Sequence, residues 1–209
     1  MTSILKADTI QDAAGNNIIN ENANTITIGA SGDTIIIPSG ATITNNGTAN
    51  SFGDPGLPGM DMWRQTADTS SNAQPITSNW ERVDTGNFAG IGTAFSAPSS
   101  GIWTFPSTGI WEIYFVYYLS STISDVTVNS AIQITTNDSS YVIRAFGTCG
   151  VGTAITWKAQ VPATVIVDVT DTSQVKFKLD IDNLSSGSVM KGNTDNNQTY
   201  VVMKKLGET

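Results

Sequence analysis

Chemistry on a protein surface needs a nucleophile with a base beside it, a pair of acids, or a set of metal ligands, and this sequence is poor in all three. It contains no histidine, which removes Ser-His-Asp and Cys-His triads and every histidine metal site. Its one cysteine, Cys149 in Gly-Thr-Cys-Gly, has no partner to activate it and reads as a small residue at a turn or a partly buried edge. Carboxylates remain. Asp180 and Asp182 lie two apart in Val175-Lys-Phe-Lys-Leu-Asp-Ile-Asp182, about 7 Å from each other by strand rise. Asp168 and Asp171 bracket a turn, so a glycosidase pair or a calcium site is conceivable. Alternation of Lys176, Lys178, Asp180 and Asp182 along one strand face reads more simply as a solvated surface. The expectation is therefore no catalytic residue, no metal, no cofactor and no enzyme.

The elements that would position any site are β-strands. Of 209 residues, 39% are hydrophobic and only 13% charged; polarity comes from Thr, Ser and Asn, which favour strands, turns and side-chain-to-backbone hydrogen bonds. A formal net charge of −8 repels phosphate backbones, so nucleic-acid binding is not expected. No apolar run approaches the roughly 20 residues that cross a bilayer, and Met-Thr-Ser-Ile-Leu-Lys-Ala-Asp-Thr-Ile-Gln-Asp lacks a basic segment followed by a long apolar one, so secretion through a signal peptide is not expected. Asn-x-Ser/Thr sequons at Asn46, Asn137, Asn183 and Asn197 arise readily by chance in such a composition and carry no weight without a secretory route. A lone cysteine excludes an intrachain disulfide, so stability must come from packing or assembly.

Residues 1–52 hold short apolar bursts between Gly, Asn and Ser: Thr9-Ile10, Ile18-Ile19, Thr25-Ile-Thr-Ile28, Thr34-Ile-Ile-Ile37 and Ala41-Thr-Ile-Thr44. The last three repeat loosely as strand and turn. With two or three isoleucines per burst and no aromatic residue before Phe52, one copy cannot exclude water from a core. A disordered tail and an intertwined stalk shared by several chains are the alternatives; Thr-Ile alternation favours the stalk, because disordered segments are poor in β-branched residues. Gly53-Asp-Pro, Gly56-Leu-Pro, Gly59-Met-Asp then places glycine at every third position, the requirement at the axis of a collagen triple helix. Residues 53–59 are accordingly expected to form a short collagen-like linker whose chains the stalk has already aligned, with Gly53, Gly56 and Gly59 on the threefold axis.

From residue 60 to 209 the pattern changes. All five tryptophans lie here, and strand candidates recur without a convincing helix: Met60–Thr66, Asn79–Val83, Gly101–Phe105, Gly109–Leu119, Val126–Ile134, Tyr141–Phe146, Ala154–Ala159, Ala163–Val169, Gln174–Ile181, Ser188–Met190 and Thr199–Lys204. An all-β sandwich or barrel follows. Ile110-Trp-Glu-Ile-Tyr-Phe-Val-Tyr-Tyr118 is apolar on both faces, and an antiparallel strand of that kind needs its own core on one side and something further on the other. Tyr114, Phe115, Val116, Tyr117 and Tyr118 are therefore the interface candidates, and Tyr200-Val-Val-Met-Lys-Lys205 repeats the feature more weakly. A strand crossing the middle of a larger core is the alternative.

Ser100-Gly-Ile-Trp-Thr-Phe-Pro-Ser-Thr-Gly-Ile-Trp-Glu-Ile-Tyr-Phe-Val-Tyr-Tyr118 resembles the signature of C1q/TNF-like domains, in which Phe-x-x-Pro leads through x-x-Gly into a long aromatic strand. Ser173-Gln-Val-Lys-Phe-Lys-Leu and Gln198-Thr-Tyr-Val-Val-Met-Lys-Lys-Leu206 are similar to that family's last two strands. The resemblance implies a ten-strand jelly roll packed as a homotrimer, often behind a collagen stalk. Ile4-Leu-Lys-Ala-Asp-Thr-Ile-Gln-Asp-Ala-Ala-Gly-Asn-Asn-Ile-Ile-Asn-Glu-Asn and Asn24-Thr-Ile-Thr-Ile-Gly-Ala-Ser-Gly-Asp-Thr-Ile-Ile-Ile-Pro-Ser-Gly are similar to the start of short fibre proteins of tailed bacteriophages, especially those of marine bacteria. That implies a virion protein, docked on another virion component through its N-terminal region, with an exchangeable tip. The expected function is a tail fibre that binds a host surface glycan or protein through loops around 84–100, 120–125, 136–140 and 183–198. A capsid decoration or head fibre and a polysaccharide depolymerase are the alternatives.

Overall fold

The computed structural model describes residues 9–11, 13–14, 17–22, 25–28, 32–42, 44, 57–84, 89–153 and 156–209. The chain falls into two units, Met1–Phe52 and Gly53–Thr209.

In the smaller unit, strands β1 (Thr9–Gln11), β2 (Asn17–Asn22) and β3 (Thr25–Ile28) form an antiparallel sheet in that order. Its register places Ile10 opposite Ile19 and Ile19 opposite Ile28. Side chains directly opposite in a ladder share a face, so one isoleucine from each strand forms a row across the sheet, and all three are exposed. Two of the expected repeats do not become strands: 33–38 carries no ladder, and Ile35, Ile36 and Ile37 are exposed. Pro38 cannot donate to a ladder, and its carbonyl instead accepts from Ala41 N at 3.1 Å. In the last repeat, residue 43 lies outside the described residues, and 41, 42 and 44 are not in a strand.

The larger unit is a sandwich of two antiparallel sheets, with no helix among its described residues. Its strands are β4 (Gly59–Gln65), β5 (Trp80–Arg82), β6 (Ile102–Thr104), β7 (Gly109–Ser121), β8 (Asp125–Thr135), β9 (Val142–Val151), β10 (Trp157–Val169), β11 (Lys176–Asp182), β12 (Ser188–Met190) and β13 (Tyr200–Gly207). One sheet runs β10-β7-β13-β4-β5, with β12 also paired to β7; the other runs β6-β11-β8-β9. The expected strands at 154–159 and 163–169 are one strand, β10, with Pro162 inside it. Because β10 is the sheet edge, the missing N–H of Pro162 costs no ladder bond.

The core between the sheets is aromatic. Trp103 is fully buried, stacked on Phe177 at 5.6 Å and met edge-on by Trp63 at 5.4 Å and Trp80 at 5.3 Å. Phe95 meets Trp111 edge-on at 5.3 Å. The Phe105-to-Gly109 corner is built for close approach. Trp111 Nε1 donates to Ser107 O at 3.1 Å, and Gly109 has φ +131°, where a Cβ would lie 2.6 Å from Gly207 O. Asp61, buried in the sheet, accepts from Arg82 Nε and from the backbone N of Phe95, both at 2.8 Å, so the long 83–101 connection is tied back to β4.

Gly59, expected as the third glycine of the linker, is the first residue of β4, opposite Lys205 in the ladder, and Met60 N donates to Ile91 O at 2.9 Å. Gly53 and Gly56 lie outside the described residues.

Candidate functional site

The β-ladder settles which residues share the outer face of the larger sheet. Tyr114 on β7 lies opposite Thr164 and Val202, and Val202 lies opposite Met62. In the next row Val116 lies opposite Pro162 and Tyr200, and Tyr200 opposite Arg64. These rows form a continuous surface of Tyr114, Val116, Tyr118, Tyr200, Val202 and Met62, the outward face of strands whose inward residues fill the core. Val116 and Val202 are already buried within the layer by their larger neighbours; Tyr114, Tyr118, Tyr200 and Met62 are half-buried. Ile166, at the β10 edge of the same face, is 64% exposed.

Charge is confined to the margin. Lys204 Nζ pairs with Glu112 Oε2 at 3.0 Å and Arg64 Nε with Glu81 Oε2 at 3.0 Å, an apolar centre with a polar rim of the kind found in protein interfaces. Burial pushes the Tyr200 phenol above its ordinary value, with Tyr114 adding to the shift, so the Tyr200 hydroxyl stays neutral near pH 7.

Of the five consecutive interface candidates, Tyr114, Val116 and Tyr118 lie on this face. Phe115 and Tyr117 do not: both are fully buried between the sheets. Tyr117 donates its hydroxyl to Val128 O at 3.0 Å and lies 3.1 Å from Cys149 Sγ. A strand apolar on both sides offers two faces, and only the layer packed against one of them tells which is internal. Tyr200 and Val202 were legible as a weaker second apolar strand; Met62, Pro162 and Ile166 were not, because each follows only from strand order.

A second apolar region lies on β9, the edge strand of the smaller sheet. Val142, Ile143 and Phe146 are 48%, 53% and 55% exposed. The loops sort to two ends. Gly59, where the chain enters the sandwich, shares its end of the larger sheet with Lys205, Trp111 and Ile91. The 121–125 and 183–188 segments lie at the other end of β7 and are joined there: Asp125 accepts from Ser185 N and Ser185 Oγ, each at 3.1 Å, and from Ser188 Oγ. Between them opens a cleft of about 380 Å³ lined by Ser124, Asp125, Val126, Thr127, Asn183, Leu184 and Ser185. The 136–140 loop leaves the opposite end of β8, where Asp138 N donates to Gln174 O at 3.0 Å.

No family model matches the chain. No curated protein matches its sequence. Among solved structures it is similar to Eiger TNF from S. frugiperda, with a TM-score of 0.52 and 11% identity over 72% of this chain and 93% of that one. It is similar also to murine APRIL at pH 5.0, with a TM-score of 0.51 and 12% identity over 71% of this chain and 98% of that one. The larger unit has a TNF-like jelly-roll fold. At this identity the likeness concerns fold alone.

Cys149 is half-buried within β9, and burial raises its thiol, with the nearby Asp125 charge adding to the shift despite an opposing hydrogen bond to Tyr117. That is the reverse of an activated nucleophile. Among the described residues no group of three or more His, Cys, Asp and Glu gathers as a metal centre, and no helix is long and apolar enough to cross a membrane.

Proposed function

We propose that this protein is a homotrimeric structural fibre of a tailed-phage virion, in which the 1–52 unit provides attachment and stalk and the jelly roll recognises the host surface without covalent chemistry. The observation that carries the trimer is the pair of unlike apolar surfaces on one jelly roll: the outer face of the larger sheet, and the β9 edge with Val142, Ile143 and Phe146. Two different patches that fit each other make a heterologous contact, which closes into a ring when the rotation per subunit divides the circle. Three subunits around such a ring each cover the next one's face. In the smaller unit the row of Ile10, Ile19 and Ile28 is likewise an unfinished core that neighbouring chains would complete.

The phage assignment rests on the resemblance of residues 4–40 to the start of phage fibre proteins. Chain entry at Gly59 favours the far end of the jelly roll as the tip, so the 121–125 and 183–188 loops with their cleft are the receptor side. Hydroxyls and amides at Ser124, Thr127, Asn183 and Ser185 suit a host glycan or the polar surface of a protein.

Sedimentation velocity of the full chain at micromolar concentration tests the assembly, with a trimer expected. Burying the remaining exposed part of Ile166 is worth about 1–2 kcal/mol in each subunit, so Ile166→Asp should shift the population to monomer. A compact monomeric wild type refutes the reading. Immunogold labelling of intact virions then separates a tail fibre from a head fibre, and Asn183→Ala with Ser185→Ala should reduce binding to host cells without changing the sedimentation coefficient.

A further inference from the structure

Asp180 and Asp182 point away from the core on β11, and sequence alternation alone makes them solvated. The structure places Asp180 otherwise: only 4% of it is exposed, and burial, the largest cause, raises its carboxyl above the ordinary value. One of its oxygens, Oδ2, accepts from Gln133 Nε2. The other, Oδ1, is buried with no hydrogen-bond partner, and so is Oδ1 of Asn129. Asn129 is directly opposite Asp182 in the β11–β8 ladder, so their side chains rise from one face of the sheet with Asp180 two residues along. All three line one cleft, together with Gln74, Ile143 and Phe146.

The nearby cations are engaged elsewhere. Lys176 Nζ pairs with Asp138 at 2.6 Å, and Lys178 Nζ sits 3.7 Å over the Tyr141 ring. Two buried acceptors without a donor, and a second carboxylate beside them, call for something positive in the cleft. The cleft measures about 50 Å³, room for an ion with one water at about 30 Å³ and too small to enclose a sugar ring. The oxygens on the outward face are two carboxylates and the neutral amide of Asn129, with the Gln74 amide and the Ser130 hydroxyl, itself without a partner, also lining the cleft. That is the donor set of calcium, which takes about 6–8 oxygens in flexible geometry at 2.3–2.6 Å and accepts water and amide oxygens among them.

We propose that Asp180, Asp182 and Asn129 form a calcium-class divalent cation site on the outer face of the smaller sheet. The bound ion takes Oδ1 of Asp180 and Oδ1 of Asn129 as ligands together with the Asp182 carboxylate, and water completes the shell. It neutralises the buried Asp180, so it stabilises the jelly roll where the bare carboxylate destabilises it. With two protein carboxylates and an open shell, affinity falls in the range of extracellular modules, about 10⁻⁴–10⁻³ M. Protons compete for the same oxygen, so binding weakens as pH falls.

Titration of calcium chloride into the chelator-treated full chain, by calorimetry and by thermal unfolding, tests the site. One ion per chain is expected, and at about ten times the dissociation constant a rise in Tm of about 3–6 °C. Magnesium at equal concentration should do much less. Asp180→Asn and Asp182→Asn should each abolish the calcium response; because Asp180→Asn replaces a buried charge by a neutral amide of the same shape, that variant should fold at least as well as the parent. No heat and no Tm shift with calcium overturns the proposal, as does an equal response to magnesium or an undiminished response in both variants. Sedimentation of the same samples reports assembly separately, so failure of the cation site and failure of the trimer are distinguishable.

Discussion

Gly109→Ala tests the corner on which the long aromatic strand depends. Gly109 has φ +131°, a region that side chains with a Cβ essentially do not adopt, and holding one there costs about 1–3 kcal/mol. An added Cβ would also lie 2.4 Å from Lys205 Cε and 2.6 Å from Gly207 O. The lysine end is a flexible side chain and can move. The carbonyl cannot, because Gly207 is held in the β13–β7 ladder opposite Ile110, and it is about 0.8 Å inside an ordinary 3.4 Å contact. Forcing β7 and β13 apart costs about 1–3 kcal/mol more, as overpacking does elsewhere. The sum, about 2–6 kcal/mol, is a large part of a total stability of about 5–15 kcal/mol. With a urea slope of about 2 kcal/mol/M, the unfolding midpoint should fall by about 1–3 M at fixed protein concentration. Gly152→Ala is the control: a Cβ there meets nothing within 4 Å and its φ is not left-handed, so the midpoint should hold or rise slightly through lost freedom of the unfolded chain. A Gly109→Ala midpoint indistinguishable from the parent's would refute the close approach of Gly207 to the corner.

Three further outcomes are expected. Asp180 has a folded-state carboxyl pKa raised by burial, against the lowering effects of Gln133 and Lys178 and with a small contribution from Asp182. The native state therefore holds that proton more tightly than the unfolded chain. Its contribution is fully present below the unfolded value of about 3.9 and is lost as pH rises through the folded value. In chelator, Asp180→Asn should match the parent near pH 3.5 and exceed it at pH 7 in thermal unfolding; parallel curves across that range would count against it. Asp125→Ala strands the Ser185 and Ser188 donors at about 2–4 kcal/mol, and limited proteolysis should then cut within 183–187, where the parent resists. Cys149, half-buried with its thiol raised by burial, should react with a disulfide reagent at pH 8 far more slowly than free cysteine, and at full rate after denaturation.

Much of the architecture was legible along the chain because strand alternation is a local property: every second residue faces one way. The β7 segment was expected as a long aromatic strand and runs Gly109–Ser121; the outward Lys and Asp of β11 followed from the same period. What failed to read depends on neighbours in space. Whether Phe115 or Val116 faces the core turns on which side the second sheet lies, and the period is the same for both. The strands expected at 154–159 and 163–169 are one, because Pro162 between them is harmless at an edge that only the strand order creates. Gly59 fits a triplet repeat in sequence, and only its pairing with Lys205 makes it a strand residue.

Composition and alternation by themselves decided that this chain is all-β, acidic, without histidine chemistry, and apolar beyond what one sheet face needs. Tertiary structure alone decided that Tyr114, Val116, Tyr118, Tyr200 and Val202 meet on one surface, that the 121–125 and 183–188 loops close one end, and that Asp180 is buried among unpaired oxygens. The physical reason is that burial and partnership are set by residues distant in sequence: Asp180 loses its water to strands β8 and β9 and to the 72–76 segment, none of which its own strand announces.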